Sequence, residues 1–159
     1  GRFTRFAAAF IDGFLVILIV LPVQFLTGYW ARAMSNQLTT VDHMLGFVPW
    51  ILAMLLLHGY LLATRGQTIG KWLTNIQIVD ANGGKRLSFL RVYVFRYLWL
   101  LPFSIVSLLI PGMADDLLLN FVVLIDALMI FGEDRRCLHD YVAGSKVVLY
   151  REGRAMAGV

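Results

Sequence analysis

The chain has 159 residues, of which 59% are hydrophobic and 15% charged, and 14 Lys and Arg against 10 Asp and Glu give a net charge of +4. Soluble domains are about 45 to 50% apolar and about 25% charged, so this composition excludes an ordinary water-soluble domain and favours an integral protein of the lipid bilayer. The small positive excess excludes nucleic acid as a partner, and the single cysteine, Cys137, excludes an internal disulfide and a CxxC metal site.

Four apolar segments follow one another along the chain, at about residues 6–30, 44–63, 90–110 and 117–132. The first two are long enough to cross a hydrocarbon core of about 30 Å as helices. The third crosses only if Arg96 lies in the membrane or extends its side chain to the membrane edge. The fourth is short, so a tilted helix or a locally thinned bilayer is expected. The pattern predicts an all-α membrane protein with four transmembrane helices.

The loop between the second and third segments predicts a small β element. Its IQIV run, within residues 76–80, favours a strand, and the following Asn-Gly-Gly favours a chain reversal. Residues 145–149 alternate as a strand does, so they are the expected antiparallel partner. We therefore predict a two-stranded cytoplasmic sheet within a transmembrane domain of residues 1–149, followed by a disordered tail at residues 150–159.

The positions of the basic residues predict the orientation. Among the 14 Lys and Arg, only Arg32 lies in the first loop, and Arg96 lies in a span, whereas Arg91 is counted with the second loop. The others lie in the N-terminus, the second loop and the C-terminal region. Because cytoplasmic loops carry the excess of Lys and Arg, both termini are predicted to be cytoplasmic.

Ionisable residues interrupt the apolar segments at similar depths. Counted at about 1.5 Å per residue, Asp12, His58, Arg96 and Asp126 all lie about 8 to 11 Å inside the cytoplasmic boundary. Arg5 stands at the head of the first helix. Arg96 is the expected partner of Asp126 or Asp12, and the other acid would then hold a proton, meet His58 or Arg5, or bind a cation. This layer either fixes helix packing or belongs to a proton or ion path.

Three short motifs carry a family resemblance. RFAAAFID places Arg5 at the head of the first helix and Asp12 within it. GQTIGKWLTNIQIVDANGG holds a Thr-x-Gly-Lys stretch and a Val-Asp-x-x-Gly turn, at Thr68, Gly70, Lys71, Val79, Asp80 and Gly83. LHDYVAGSKVV supplies Leu138, His139, Asp140, Ala143 and Gly144, with Ser145 where threonine is usual. From Arg5 to Val148 the chain resembles the RDD family of small polytopic membrane proteins, named for one arginine and two aspartates.

The resemblance leaves two functions open. It implies transport of a poorly defined ligand, or sodium–proton exchange as in some members, with Na⁺ or H⁺ as the ion, and a homo-oligomer is compatible with it. The alternative is a non-transporting module that assembles or scaffolds partner proteins. The second named aspartate is either Asp140, in the more specific motif, or Asp126, in the costlier environment. We expect a bacterial cytoplasmic membrane as the location.

No enzyme is expected, because the sequence offers no spaced nucleophile, metal-ligand cluster or phosphate-binding loop. For the same reason no cofactor and no metal site are predicted. Cys137 lies close to His139 and Asp140, but we interpret it as a buried or incidental thiol.

Overall fold

Two long apolar helices dominate the computed structural model, which describes residues 1–109, 117–133, 136–151 and 154–155. They are α1 (Arg2–Leu26) and α3 (Thr40–Arg65), and the short α2 (Tyr29–Met34) lies between them. With 25 and 26 residues, they are roughly 37 and 39 Å long, which exceeds the hydrocarbon core. Both have the length and composition to cross a membrane.

The exposed surface of α1 is apolar and its buried stripe is partly polar. The buried residues recur every four positions, at Ala8, Asp12, Val16, Val20 and Gln24. On the outer face, by contrast, Phe10 is 67% and Phe14 53% exposed. A water-soluble helix has the opposite arrangement, so this surface suits contact with lipid.

The second half of the chain is helical in shorter pieces. In chain order they are α5 (Phe89–Val92), a π-helical turn (Tyr93–Tyr97), α6 (Leu101–Leu109), α7 (Leu117–Leu128) and a 3₁₀ turn (Met129–Phe131). The nine residues of α6 and the 12 of α7 cover roughly 14 and 18 Å, less than the bilayer core. Among the described residues, two helices thus reach spanning length where four were predicted.

The third predicted span is broken at residues 98–100, so the prediction of one continuous helix was wrong. Pro102 explains the break, because it has no N–H and its ring would collide with the carbonyl of the residue four positions earlier, Leu98. The N–H of Leu98 still bonds to the carbonyls of Tyr93 and Val94. The predicted end of this span, at residue 110, lies outside the described residues.

Beside the helices lies a small unit that we call the cap. It consists of α4 (Ile69–Leu73), β1 (Ile76–Asp80), α8 (Leu138–Val142) and β2 (Ser145–Arg151). The two strands pair antiparallel from Ile76 opposite Leu149 to Asp80 opposite Ser145, which confirms the predicted pairing.

The sheet extends further than predicted. A short β3 (Arg154–Ala155) pairs with the end of β2. The prediction of a disordered tail was therefore wrong for residues 150–151 and 154–155. The rest of the predicted tail lies outside the described residues.

An apolar cluster attaches the cap to the helices. Its buried members come from α1, α3, β1, the 87–92 segment and β2, and they are Ala8, Leu62, Ile76, Ile78, Leu87, Val92 and Val147. This cluster positions α4 and α8 against the polar residues of the helices.

Candidate functional site

Asp12 of α1 is enclosed by α4. Its carboxylate accepts the backbone N–H of Gly70 at 2.7 Å and the hydroxyl of Thr68 at 2.5 Å, and it faces the Lys71 ammonium at 3.5 Å. Asp12 is only 7% exposed. A Cβ on Gly70 would overlap the carbonyl oxygen of Ala8, so glycine is what allows α4 to approach α1 this closely. Asp12 therefore holds α4 in place.

His58 of α3 lies next to this contact and is fully buried. Its Nδ1 accepts the backbone N–H of Ile69 at 3.3 Å and lies 3.7 Å from the Asp12 carboxylate. The other ring nitrogen, Nε2, has no hydrogen-bond partner among the described residues. His58 thus helps to fix the start of α4.

Two arginines bind the other part of the cap. Arg96 pairs with the Asp140 carboxylate and donates to the Ser145 hydroxyl at 2.7 Å. Arg5 donates to the carbonyl of Val147 at 2.7 Å. The expectation that Arg96 pairs with Asp126 or Asp12 was wrong, because α8 brings a third carboxylate, Asp140, to its guanidinium.

The turns of the cap depend on Gly144 and Asp80. Gly144 has φ +61°, and a Cβ there would meet the Arg91 guanidinium at 2.5 Å. Asp80 accepts the N–H of Asn82 at 2.9 Å and of Gly83 at 3.0 Å. These backbone hydrogen bonds, Gly83 first, hold the pKa of Asp80 below its usual value, and nearby Arg91 adds to the effect.

Asp126 of α7 meets the start of α8. It accepts the backbone N–H of His139 at 2.9 Å and lies 2.8 and 2.9 Å from the ring nitrogen Nδ1. Burial, together with the Arg96 charge, lowers the pKa of His139 to about 4 despite the neighbouring carboxylate. The imidazole is therefore neutral at neutral pH and donates its Nδ1–H to Asp126.

Cys137 completes this corner. Its sulfur, a carboxylate oxygen of Asp126 and a ring nitrogen of His139 all lie within 4.8 Å of one another. Burial and the Asp126 charge raise the pKa of the Cys137 thiol. The three groups offer oxygen, sulfur and nitrogen, a donor set that binds metal ions.

A cavity of about 850 Å³ lies beside these contacts. Its walls are largely apolar and include Phe6, Val16, Trp50, Trp99 and Phe131. Its ionisable side chains are Arg2, Arg5, Asp12, Lys71, Arg96, Tyr97, Asp126, Cys137, His139 and Asp140. The cavity therefore reaches charged groups from the apolar helices and from the cap.

The predicted site residues divide between the cavity wall and its surroundings. Four of the predicted polar layer line the cavity, namely Arg5, Asp12, Arg96 and Asp126, and His58 does not. Of the predicted cytoplasmic motif, Lys71, His139 and Asp140 line it, whereas Thr68, Gly70 and Gly144 do not. The layer and the motif, treated separately in the sequence, thus meet at one place.

Sequence reasoning missed Cys137 as a candidate ligand and found no metal-ligand cluster. The structure places its sulfur beside Asp126 and His139. The nearest signal in the sequence is the pair Cys137 and His139, two residues apart, but it does not indicate the third ligand.

The comparisons with known proteins give one match. A family model described as RDD family matches residues 1–144. The searches of curated proteins and of solved structures returned no match.

Proposed function

This chain belongs to the RDD family, and from that premise we propose that it exchanges a cation for protons across a membrane. In this proposal the Asp126 carboxylate binds the cation and the proton alternately. The observation that carries the proposal is the cavity of about 850 Å³ that reaches Asp126 from between the helices. An ionisable group inside an apolar helix is costly, by about 2.5 to 3.5 kcal/mol on insertion scales, and such groups mark ion and proton paths.

The partners of Asp126 support this role. Its neighbour His139 is neutral at neutral pH, because burial lowers the imidazole pKa to about 4, so His139 donates a hydrogen bond without cancelling the carboxylate charge. The guanidinium of Arg96, which also lines the cavity, is paired with Asp140. A cation entering the cavity would therefore find a negative charge to neutralise.

Asp12 suits this role less well. It faces the Lys71 ammonium at 3.5 Å and accepts two hydrogen bonds from α4. A cation at Asp12 would have to compete with an ammonium that is itself buried. In the proposal Asp12 is a positioning residue, and Asp126 binds the ion.

The proposal includes four crossings of a bacterial cytoplasmic membrane with both termini in the cytoplasm. The distribution of Lys and Arg supports this orientation. The two shorter segments, 89–109 and 117–131, would cross with a break and a thinned bilayer. A homo-oligomer would help to enclose the path, since four segments are few for that purpose. The proposed protein is a carrier and not an enzyme.

The test is cation-driven proton flux in proteoliposomes. Gradients of Na⁺, K⁺ and Zn²⁺ are applied in turn, and a pH-sensitive dye is read inside the vesicles. We expect flux with the natural sequence and background flux with Asp126→Asn, because the amide cannot exchange a proton for a cation.

A second variant tests the cavity itself. Gly13 lines the cavity, and a Cβ there would have nothing within 4 Å, so Gly13→Leu places a side chain in the open space. We expect it to reduce the flux without unfolding the protein. Ala7→Leu places the same side chain at an exposed position of α1 that does not line the cavity, and it should leave the flux unchanged.

Background flux of the natural sequence with every cation would reject the exchange proposal and leave the scaffolding function. Equal fluxes for the natural sequence and Asp126→Asn would reject Asp126 as the exchanging group.

A further inference from the structure

Three potential metal ligands of different chemistry converge at the junction of α7 and α8. Asp126 offers a carboxylate oxygen, Cys137 a sulfur and His139 the ring nitrogen Nδ1, and these atoms lie within 4.8 Å of one another. Na⁺, Mg²⁺ and Ca²⁺ prefer all-oxygen sites, whereas sulfur and imidazole favour borderline and softer ions such as Zn²⁺ and Co²⁺. The donor set therefore selects a class of ion.

A second carboxylate, that of Asp140, lies near the ring nitrogen of His139 that would not bind the metal. Histidine ligands generally donate their other ring N–H to a carboxylate or carbonyl, which fixes the ring and its tautomer. Here Nε2 of His139 lies 4.0 Å from the Asp140 carboxylate. Asp140 is itself held by Arg96 and by the Ser145 hydroxyl at 2.9 Å. Asp140 therefore stands on the Nε2 side of the His139 ring.

The three groups are accessible from the cavity. Asp126, Cys137 and His139 all line it, and each is only partly buried. Three protein ligands leave the fourth position of a tetrahedral ion open to water or another ligand. Arg96 also lines the cavity, and its pair with Asp140 reduces its repulsion of a cation.

We propose that Asp126, Cys137 and His139 form a binding site for a divalent transition-metal ion of the Zn²⁺ or Co²⁺ type. The role of this ion as the exchanged cation rests on the function proposed above. Its binding can be measured without transport. On binding, the ion takes the place of the proton that Asp126 holds in the exchange, and the Cys137 thiol releases its own proton to water, so that the sulfur becomes a ligand. The His139 proton moves from Nδ1 to Nε2, so the imidazole stays neutral and gains the metal at Nδ1.

The test is titration of the purified full chain in detergent with Co²⁺. A thiolate ligand gives Co²⁺ an intense charge-transfer absorption, and Cys137 is the chain's single cysteine, so the band reports this site. We expect one Co²⁺ per chain, displacement by Zn²⁺, and no displacement by Mg²⁺. Cys137→Ser should abolish the band, and His139→Ala and Asp126→Asn should each weaken binding at least about tenfold.

His43→Ala is the matched control. His43 is exposed near the start of α3 and is not part of the cluster, so its loss should leave the titration unchanged. Thermal unfolding of each variant identifies any that fails to fold, and Cys137→Ser, which changes one atom, keeps the test valid if His139→Ala unfolds.

Absence of the charge-transfer band with the natural sequence would reject the metal site, even if Na⁺-driven or K⁺-driven flux is found, and the exchange proposal would then stand alone. A band that Cys137→Ser abolishes, in vesicles that show no flux with any cation, would keep the metal site and reject exchange.

Discussion

Two carboxylates in apolar helices, Asp12 of α1 and Asp126 of α7, have the same kind of backbone partner. Each accepts an N–H from the first turn of a short cap helix, Gly70 of α4 or His139 of α8. Their remaining neighbours differ. Asp12 faces an ammonium and is nearly fully buried, whereas Asp126 contacts an imidazole and lies beside a thiol. Both carboxylates line the cavity.

This difference separates two uses of an ionisable residue in a membrane. A carboxylate matched by a buried ammonium and a hydroxyl has its charge and its hydrogen bonds satisfied, so it joins two parts of the protein. A carboxylate matched by a neutral donor keeps an unbalanced charge that a cation or a proton can satisfy. The sequence predicts a similar depth for both residues, so their partners are what distinguishes them.

Gly70→Ala should have the largest effect on the Asp12 contact. The new Cβ would overlap the Ala8 carbonyl oxygen and lie 2.9 Å from the Asp12 carboxylate, and neither backbone can yield easily. Overpacking typically costs about 1–3 kcal/mol, and contact with backbone places this variant at or above about 3 kcal/mol. Thermal unfolding in detergent would measure the loss.

The matched control for Gly70→Ala is Gly13→Ala on α1, where a Cβ meets nothing within 4 Å. It should leave stability unchanged or raise it by up to about 1 kcal/mol, since alanine favours helix. Equal losses in both variants would contradict the close contact of α4 with α1.

Asp12→Asn should have the next largest effect. The amide oxygen can still accept a hydrogen bond, but Lys71, which is 8% exposed, loses the charge beside it. Removing one partner of a buried ion pair costs about 3 kcal/mol or more. Asp12→Asn with Lys71→Met should recover part of the loss, because no unpaired charge is then buried. If the double variant is less stable than the single one, the ion pair does not account for the effect.

The sequence was informative about elements and less so about their partners. Long apolar runs predicted α1 and α3, and alternation predicted the pairing of β1 with β2, because these patterns depend on local spacing. The third span was predicted as continuous because hydropathy measures only apolar character. It does not register that Pro102 lacks the N–H that a continuous helix needs. The short β3 has too few residues for a pattern.

The depths of the polar site residues in their helices could be predicted from the sequence. Their contact partners could not. Equal spacing from the helix ends predicted one common region for Asp12, His58, Arg96 and Asp126. Asp12, Arg96 and Asp126 line one cavity, whereas His58 does not. Spacing along separate helices does not say how the cap folds back against them. The ion pair of Arg96 with Asp140 depends on tertiary packing between distant segments, as does the approach of Cys137 to Asp126.

Asp126→Asn should destabilise the fold much less than Asp12→Asn. The amide can still accept the backbone N–H of His139, and the carboxylate side chain is 16% exposed beside a neutral imidazole. The loss should be about 1 kcal/mol, the usual value of one hydrogen bond. Thermal unfolding of both variants under the same conditions checks this. A larger loss for Asp126→Asn than for Asp12→Asn would reverse the roles assigned to the two residues.

Asp80 also accepts backbone N–H groups, but it lies at the surface. We expect its substitution to have the smallest effect on stability. Its carboxylate accepts two N–H groups, and these hold its pKa below the ordinary value of 3.8. The unfolded chain therefore binds this proton more readily, so the stabilisation is complete well above 3.8 and is lost as the pH falls through the lower folded pKa. Unfolding of the natural sequence and Asp80→Asn should differ slightly at neutral pH, and the difference should shrink as the pH falls below 3.8. A difference that grows as the pH falls would show that the charge on Asp80 destabilises the turn. In that case the contacting groups alone would not explain the stability effects of Asp12, Asp126 and Asp80.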